Sequence, residues 1–271
     1  MDYKLLVLDL DGTLTNTKKE ITLRNRKALI QTQQQGTQLV LASGRPTYGI
    51  APLADELQMG RFGGYILSYN GGEIIDWKTR KILYSNVLPD AVIPHLYECA
   101  KRNKLAILTY KGEYIITENP DDEYVKKEAF LNKMEVQKST DFLTDIHLPV
   151  PKCLIVGDPD KLIAVESELS IRLQGQISVY RSEPYFLELV PLGIDKAQSL
   201  AVLLEKTGMK REEMVAVGDG YNDLSMIRFA GLGVAMANAQ EPVKKAADYI
   251  TLSNEEDGVA AVVEKYFSMT K

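Results

Sequence analysis

Apolar and polar positions in the first part of the chain alternate in blocks that predict short buried strands separated by helices. Strands are expected at 3–8, 38–42 and 65–68, and helices at about 22–35 and 46–57. Thr22 is the expected N-cap of the first helix and Gly36 its stop signal. Strands that alternate with helices are typical of βαβ units and a parallel sheet.

The pattern changes after residue 73. Two short strands around a polar turn are expected at 73–84, and then short strands (106–110, 114–117, 153–156, 177–180) mix with helices at about 121–131 and 160–173. The strand–helix alternation returns with strands at 186–190, 214–217, 232–235 and 249–251 and helices at 195–207 and 222–229. The sequence therefore predicts a doubly wound, mostly parallel α/β core (1–84 and 186–271) with an inserted α+β domain (85–185).

Composition narrows the class of protein. The 271 residues are 45% hydrophobic and 25% charged, which is typical of a folded globular chain. The net charge of −5 disfavours nucleic acid or an anionic membrane as the main partner. No stretch approaches the roughly 18 apolar residues of a membrane span, and the start of the chain does not resemble a signal peptide. Cys99 and Cys153 have no metal-binding spacing, so we expect buried thiols and a cytoplasmic protein.

Four polar motifs follow predicted strands or begin predicted helices, where ligands bind in open parallel sheets. Asp9 and Asp11 end the first strand two positions apart, a like-charge arrangement that a cation or a shared proton would relieve. Ser43-Gly44-Arg45 precedes a helix start, a place that suits an anion. The other two motifs are Lys196, at a helix start, and GDGYND at 218–223.

Together these motifs resemble the four motifs of haloacid dehalogenase-like phosphatases. DLDGT, a serine ending a strand, a lone lysine and GDGYND stand in the family's order, and the resemblance covers essentially the whole chain. The insertion resembles the large α/β cap of the Cof-type subgroup (type C2B). One departure is Ala197, where relatives often carry glycine after the lysine; alanine is harmless at a helix start.

The resemblance implies a role for each motif residue. Asp9 would be the nucleophile that forms an aspartyl-phosphate, and Asp11 the general acid and then the base. Mg²⁺ would be held by Asp9, the backbone carbonyl of Asp11 and Asp219. Asp223 would either bind the metal directly or support its ligands from behind, and this choice stays open. The implied phosphate-binding groups are Ser43, the N–H groups of Gly44 and Leu10, Lys196 and Asn222.

Each motif also has a plainer interpretation. Asp9, Asp11 and Glu20 fit positions 1, 3 and 12 of a calcium loop, although Leu14 stands where that loop needs glycine. Ser43 alone would be a helix cap, Lys196 a solvated lysine, and GDGYND a turn in which Asn222 caps a helix. For Arg45, a phosphate contact and a solvated helix start stay equally open. The segment 70–72 (Asn-Gly-Gly) could contact substrate or form a hairpin turn.

The resemblance implies a Mg²⁺-dependent phosphatase that hydrolyses phosphate monoesters of small metabolites, with sugar phosphates as the leading class. The cap would close over the core to exclude water and select the leaving group. A phosphomutase, a dedicated sucrose- or trehalose-phosphate phosphatase and a non-enzymatic binding protein are the alternatives. We expect a small phosphorylated metabolite as partner, no nucleic acid or membrane, and a monomer or weak homo-oligomer.

Overall fold

The structure, a computed structural model, describes residues 3–267 and contains two compact units. The first unit is built from the described residues of Met1–Gly44, Ile50–Tyr84 and Asp195–Lys271, and the second from Arg45–Gly49 and Ser85–Ile194.

Strands of both units are short and largely apolar. In chain order they are β1 (Leu5–Leu8), β2 (Gln38–Ala42), β3 (Tyr65–Ser68), β4 (Glu73–Asp76), β5 (Lys81–Ser85), β6 (Ala106–Lys111), β7 (Tyr114–Thr117), β8 (Glu135–Lys138), β9 (Cys153–Val156), β10 (Ile177–Glu183), β11 (Phe186–Pro191), β12 (Met214–Gly218), β13 (Leu232–Ala235) and β14 (Tyr249–Ile250).

The α-helices are α1 (Leu23–Gln34), α2 (Thr47–Glu56), α3 (Met59–Phe62), α4 (Ile93–Arg102), α5 (Glu123–Asn132), α6 (Phe142–Asp145), α7 (Pro159–Arg172), α8 (Lys196–Thr207), α9 (Leu224–Phe229), α10 (Glu241–Ala246) and α11 (Gly258–Tyr266). Thr22 is the N-cap of α1 as expected, because its hydroxyl accepts a hydrogen bond from Asn25 N. None of the helices between residues 3 and 267 combines the length and apolar composition that crossing a membrane requires.

The first unit is organised by an eight-stranded sheet in the order β14-β13-β12-β1-β2-β3-β4-β5. The strands from β14 to β3 pair in parallel, and β4 pairs antiparallel to β3. All four residues of β1 are buried, which agrees with a strand covered on both faces. Because β12 and β2 flank β1, their carboxyl ends lie side by side, the place where doubly wound sheets bind ligands. The predicted fold class is confirmed.

The second unit carries a six-stranded sheet in the order β10-β11-β9-β6-β7-β8. Its apolar core includes Ile107, Ile155 and Leu187 on the strands and Leu96 and Leu169 on α4 and α7. All its pairings are antiparallel except β7 with β8. This is the α+β character that the sequence predicts for the insertion.

The end of the insertion differs from the prediction. The strand 186–190 was assigned to the returning core, but β11 pairs antiparallel with β10 and β9, so the second unit extends to Ile194. The physical reason is the tight connection after Glu183, which turns the chain back onto β10. An apolar strand has the same pattern in either sheet, so the sequence could not assign it.

Candidate active site

The carboxyl end of β1 places Asp9 at the centre of the first sheet. Asp9 is 6% exposed, and its N–H donates to the carbonyl of Val217 on β12 at 3.0 Å. The chain then turns back, because the N–H groups of Thr13 and Thr15 donate to the carbonyl of Leu10 at 3.3 and 2.9 Å. At Gly12 the backbone has φ +88°, and a Cβ there would collide with the carboxylate of Asp219. This glycine therefore allows the first loop to approach the end of β12 closely.

The loop after β12 holds the second and third carboxylates. Asp223 lies in a short 3-10 turn and is fully buried, and its Oδ2 accepts hydrogen bonds from the N–H groups of Asp219 and Gly220, both at 2.9 Å. Gly218 leaves room for this arrangement, since a Cβ there would lie 2.5 Å from the Cβ of Asp223. Thr13 Oγ1 donates to Asp219 Oδ1 at 2.7 Å. Asp223 Oδ1 accepts a hydrogen bond from Lys196 Nζ, so both carboxylate oxygens of Asp223 have protein donors.

Lys196 brings a buried positive charge to these carboxylates. It is the first residue of α8, after the N-cap Asp195, and it is 1% exposed. Its Nζ donates to Asp223 Oδ1 at 2.6 Å, to Asp9 Oδ1 at 2.7 Å and to the carbonyl of Ala42 at 2.9 Å. The plainer interpretation of Lys196 as a solvated lysine is therefore wrong. All three ammonium hydrogens have an acceptor, so the lysine is fixed between β1, β2 and the 3-10 turn.

The charges of this cluster are unbalanced. Carboxylate oxygens of Asp9, Asp219 and Asp223 lie within 4.8 Å of one another. Among residues 3–267, the ammonium group of Lys196 is the one paired with them, so the cluster carries a net charge of −2 when all three carboxylates are ionised. Burial, and then the negative charge of Asp223, raise the pKa of Asp9 well above its ordinary value, although Lys196 opposes the shift. Burial also raises the pKa of Asp219 to about 6. Burial lowers the pKa of Lys196, but Asp223 and Asp9 outweigh it, and the net shift is upward.

This donor set fits a divalent metal ion. Carboxylate oxygens are the hard ligands that Mg²⁺ prefers, and a divalent cation beside these three carboxylates would cancel the excess negative charge. The calcium-loop alternative is wrong, because Asp9 clusters with Asp219 and Asp223, while the Asp11 carboxylate contacts Lys19.

Ser43, Gly44 and Asn222 are brought together by a residue that the sequence left undecided. The N–H of Asn70 donates to the carbonyl of Ser43 at 2.9 Å, and Asn222 Nδ2 donates to Asn70 Oδ1 at 3.1 Å. A Cβ on Gly44 would lie 3.1 Å from Asn70 Nδ2. Asn222 therefore does not cap α9, whose N-cap is Asp223 with no side-chain cap bond. Asn70 also lies in the turn between the antiparallel strands β3 and β4, so the hairpin interpretation of 70–72 is confirmed.

Asp11 differs from the other acidic residues of the predicted site. Its carboxylate does not belong to the group of Asp9, Asp219 and Asp223. It is about one-third exposed and forms an ion pair with Lys19, with 2.7 Å between Nζ and Oδ1. Only the backbone of Asp11 remains available for the metal role that the family resemblance implies.

Arg45 belongs to the second unit, where its Nη1 donates to the carbonyl of Gly49 at 3.4 Å.

Three residues that shape the site were not predicted from the sequence: it missed Thr13, left Asn70 undecided and missed Asn238. Thr13 holds Asp219, Asn70 joins Ser43 to Asn222, and Asn238 Nδ2 donates to the carbonyl of Gly12 at 2.8 Å. A signal existed for the first two, since Thr13 belongs to the DLDGT motif and Asn70 ends a core strand. Asn238 lies in a loop without a motif, and only the structure identifies it.

Comparisons with known proteins agree with this geometry. The family model for haloacid dehalogenase-like hydrolases matches residues 6–263. A haloacid dehalogenase-like hydrolase from Bacteroides thetaiotaomicron of known crystal structure is 72% identical, with a TM-score of 0.96 over 97% of this chain and 99% of that one. The 5-amino-6-(5-phospho-D-ribitylamino)uracil phosphatase YcsE of Bacillus subtilis (strain 168) is 34% identical over 98% of this chain and 96% of its own length.

A third relative is BT4131, described as a sugar phosphatase of haloacid dehalogenase subclass IIB. It is 25% identical, with a TM-score of 0.78 over 96% of this chain and 98% of its own. These likenesses extend over both units of the chain, and two of these three relatives carry the names of phosphatases. The family model, the solved structures and the buried aspartate–lysine cluster lead to one conclusion: this chain belongs to the haloacid dehalogenase-like hydrolases and is a phosphatase.

Proposed function

We propose that the protein is a Mg²⁺-dependent phosphatase that hydrolyses phosphate monoesters of small sugar-like metabolites through an aspartyl-phosphate on Asp9. The observation that carries this proposal is the buried cluster of Asp9, Lys196, Asp219 and Asp223 at the carboxyl end of β1. A nucleophilic carboxylate in such a place needs a cation before it can approach an anionic phosphoryl group.

The metal would be held by Asp9, Asp219 and the backbone carbonyl of Asp11. Asp223 would orient the site without binding the ion directly, because both of its oxygens accept hydrogen bonds from Lys196, Asp219 and Gly220. When bound, the ion would favour the ionised form of the carboxylates and supply Lewis-acid stabilisation of the phosphoryl oxygens.

The remaining chemistry belongs to residues of the chain. The Asp9 carboxylate attacks phosphorus while the bond from phosphorus to the ester oxygen breaks, and Asp11 gives its proton to that oxygen. A water molecule then attacks the aspartyl-phosphate and passes its proton to Asp11, which releases inorganic phosphate and restores both carboxyl groups. Lys196 would exchange one of its three protein acceptors for a phosphoryl oxygen when substrate enters. Ser43, Asn222 and the N–H groups of Leu10 and Gly44 bind the other phosphoryl oxygens, and Asn70 orients the Asn222 amide.

The names of two relatives support the substrate class. YcsE is named for a substrate with a phosphorylated ribityl chain, and BT4131 is described as a sugar phosphatase. In both cases the phosphate is carried by a polyhydroxylated compound. We therefore place sugar phosphates and phosphorylated sugar alcohols first among the substrates of this chain.

The test is phosphate release from a panel of hexose, pentose and alditol phosphates, including the YcsE substrate, in Mg²⁺ and in EDTA. Asp9→Asn keeps the shape of the side chain, and we expect it to lower kcat by roughly 1,000-fold or more. Asp121→Asn is the matched control, because the Asp121 side chain is 98% exposed in the second unit.

Metal-dependent release that Asp9→Asn abolishes and Asp121→Asn preserves would support the proposal. Release that survives in Asp9→Asn would refute the nucleophile. A chain that transfers phosphate between sugar positions only when a sugar bisphosphate is added would instead be a phosphomutase.

A further inference from the structure

The segment that follows the nucleophile loop is a tight turn, Asn16 to Glu20, closed by its own hydrogen bonds. Asn16 N donates to the carbonyl of Glu20 at 3.0 Å, and Lys19 N donates to the carbonyl of Asn16 at 2.9 Å. The side chain of Asn16 reinforces the turn, because its Oδ1 accepts from the N–H groups of Lys18 and Glu20, both at 3.0 Å. The turn is therefore internally well defined.

The same turn is anchored to the rest of the first unit. Thr15 Oγ1 donates to the carbonyl of Leu10 at 2.9 Å, and Asn254 Nδ2 donates to the carbonyl of Thr15 at 3.0 Å. Thr17 N donates to Glu255 Oε1 at 2.7 Å. These bonds link the turn to the backbone of the nucleophile loop on one side and to the loop after β14 on the other, so its position relative to Asp11 is fixed.

Lys19 occupies a position in this turn that lysine does not favour. Its φ is +62°, in the left-handed region that is less favourable for a residue with a Cβ than for glycine. A glycine or asparagine would satisfy the turn with less strain. The Lys19 side chain instead reaches back eight positions along the chain, and its Nζ donates to Asp11 Oδ1 at 2.7 Å.

This ion pair contributes little to folding. The Lys19 and Asp11 side chains are 49% and 36% exposed, and ion pairs of that exposure add little to the stability of a protein. The strain at Lys19 and the small gain from the pair roughly cancel. The contact does restrict the side chain of Asp11, whose carboxyl group must meet both the leaving oxygen and the attacking water.

We propose that Lys19 is a positioning residue that holds the Asp11 carboxyl group by its Oδ1 atom for proton transfer; this inference rests on the proposed function. With Oδ1 anchored by Lys19, the protonated form of Asp11 carries its proton on Oδ2. It gives that proton to the ester oxygen as the phosphorus–oxygen bond to the leaving group breaks and the bond to Asp9 forms. Without this anchor the Asp11 side chain loses one of its contacts, and the fraction of enzyme aligned for transfer falls.

The test compares kcat/KM for two kinds of substrate, because this constant reports the first phosphoryl transfer. The leaving group of the best sugar phosphate of the panel needs a proton, whereas that of p-nitrophenyl phosphate departs as a stable phenolate. For Lys19→Met we expect kcat/KM to fall by about 10-fold or more with the sugar phosphate and by less than about 2-fold with p-nitrophenyl phosphate. The upper limit of the loss is the roughly 10²–10⁴-fold that general acid catalysis supplies in full.

Three further variants separate positioning from structure. Lys19→Arg keeps a cationic donor and should recover most of the lost activity. Lys18→Met is the matched control from the same turn and should equal the native enzyme on both substrates. Lys19→Gly relieves the left-handed strain, so it should retain the native melting temperature and still show the selective loss.

The outcomes are distinguishable from failure of the proposed function. If the native chain releases no phosphate in Mg²⁺, or if Asp9→Asn stays active, the proposed function fails and the role of Lys19 fails with it. If the native chain is active and Asp9→Asn is not, but Lys19→Met loses nothing or loses equally on both substrates, only the positioning role is overturned.

Discussion

Lys196→Met and Asp9→Asn should change the stability of the metal-free protein in opposite directions. Lys196 is buried with three hydrogen-bond acceptors, two of them carboxylates at 2.6 and 2.7 Å. Methionine keeps the length of the side chain but removes its ammonium group. Among the contacts that the structure describes, no other ammonium group is bonded to Asp9 and Asp223, so the formal net charge of the cluster changes from −2 to −3. Removing one partner of a buried ion pair costs about 3–5 kcal/mol.

Asp9→Asn changes the same cluster from −2 to −1. The asparagine retains an oxygen that accepts from Lys196, and Lys196 keeps Asp223 as its charged partner. Because burial and Asp223 already raise the pKa of Asp9, the folded protein disfavours this carboxylate, and its neutralisation should increase stability on the order of 1 kcal/mol. An active-site substitution that abolishes catalysis would then stabilise the fold.

Differential scanning calorimetry in EDTA measures both changes. At about 2–4 °C per kcal/mol for a protein of this size, Lys196→Met should melt roughly 10 °C below the native chain, and Asp9→Asn at or above it. Mg²⁺ at 100 times its dissociation constant should stabilise the native protein by about 2.7 kcal/mol and so raise its melting temperature. The melting temperature of Asp9→Asn should rise less. Equal melting temperatures for the native chain and Lys196→Met, or an Asp9→Asn variant as unstable as Lys196→Met, would refute the charge argument.

Two other perturbations probe the loops around the cluster. Burial raises the pKa of Asp219 from its ordinary 3.8 to about 6, so the folded metal-free protein retains a proton that the unfolded chain releases. The free energy of unfolding should therefore fall as the pH rises from about 4 to 6, by at most about 3 kcal/mol. Urea titrations across this range should show a flatter profile for Asp219→Asn or with Mg²⁺, and a native profile that rises with pH would contradict the assignment. Gly12→Ala and Gly36→Ala both place alanine at a left-handed φ and should each cost about 1–2 kcal/mol. Only Gly12→Ala should also weaken Mg²⁺ binding in calorimetric titrations, because its Cβ would collide with Asp219 while nothing lies within 4 Å at Gly36; equal Mg²⁺ affinity in the two variants would argue against this loop contact.

Strands and helices of the first unit could be predicted well because each one has a local cause. The fully apolar run of β1, the threonine cap and glycine stop of α1, and the polar turn between β4 and β5 all depend on neighbours in sequence. Elements without a strong local signal were missed. The helices α10 and α11 near the end of the chain were not predicted, although α11 packs against α1 with buried residues such as Val259 and Val262.

The first turn of the fourth motif shows how tertiary contacts override a local pattern. A helix was predicted from about 222, but α9 begins at Leu224, after the 3-10 turn Tyr221–Asp223. The carboxylate of Asp223 accepts two backbone N–H groups of the preceding loop and the Lys196 ammonium, and these bonds hold the turn in place. A propensity argument does not include a partner 27 positions away in the chain.

The sequence by itself determined the order of the motifs, the strand–helix alternation and the presence of an insertion, because hydrophobic periodicity and short-range signals encode them directly. It also placed Asp9, Ser43, Lys196 and Asp219 at element ends, and neighbouring parallel strands bring such ends to one edge of a sheet. The tertiary structure alone decided which side chains meet there. Thr13 contacts Asp219, Asn70 contacts Asn222, and the Asp11 carboxylate contacts Lys19. Loop backbones set the directions of these side chains, through hydrogen bonds between residues distant in sequence and through residues at a left-handed φ. A periodic pattern of apolar residues contains no information about either.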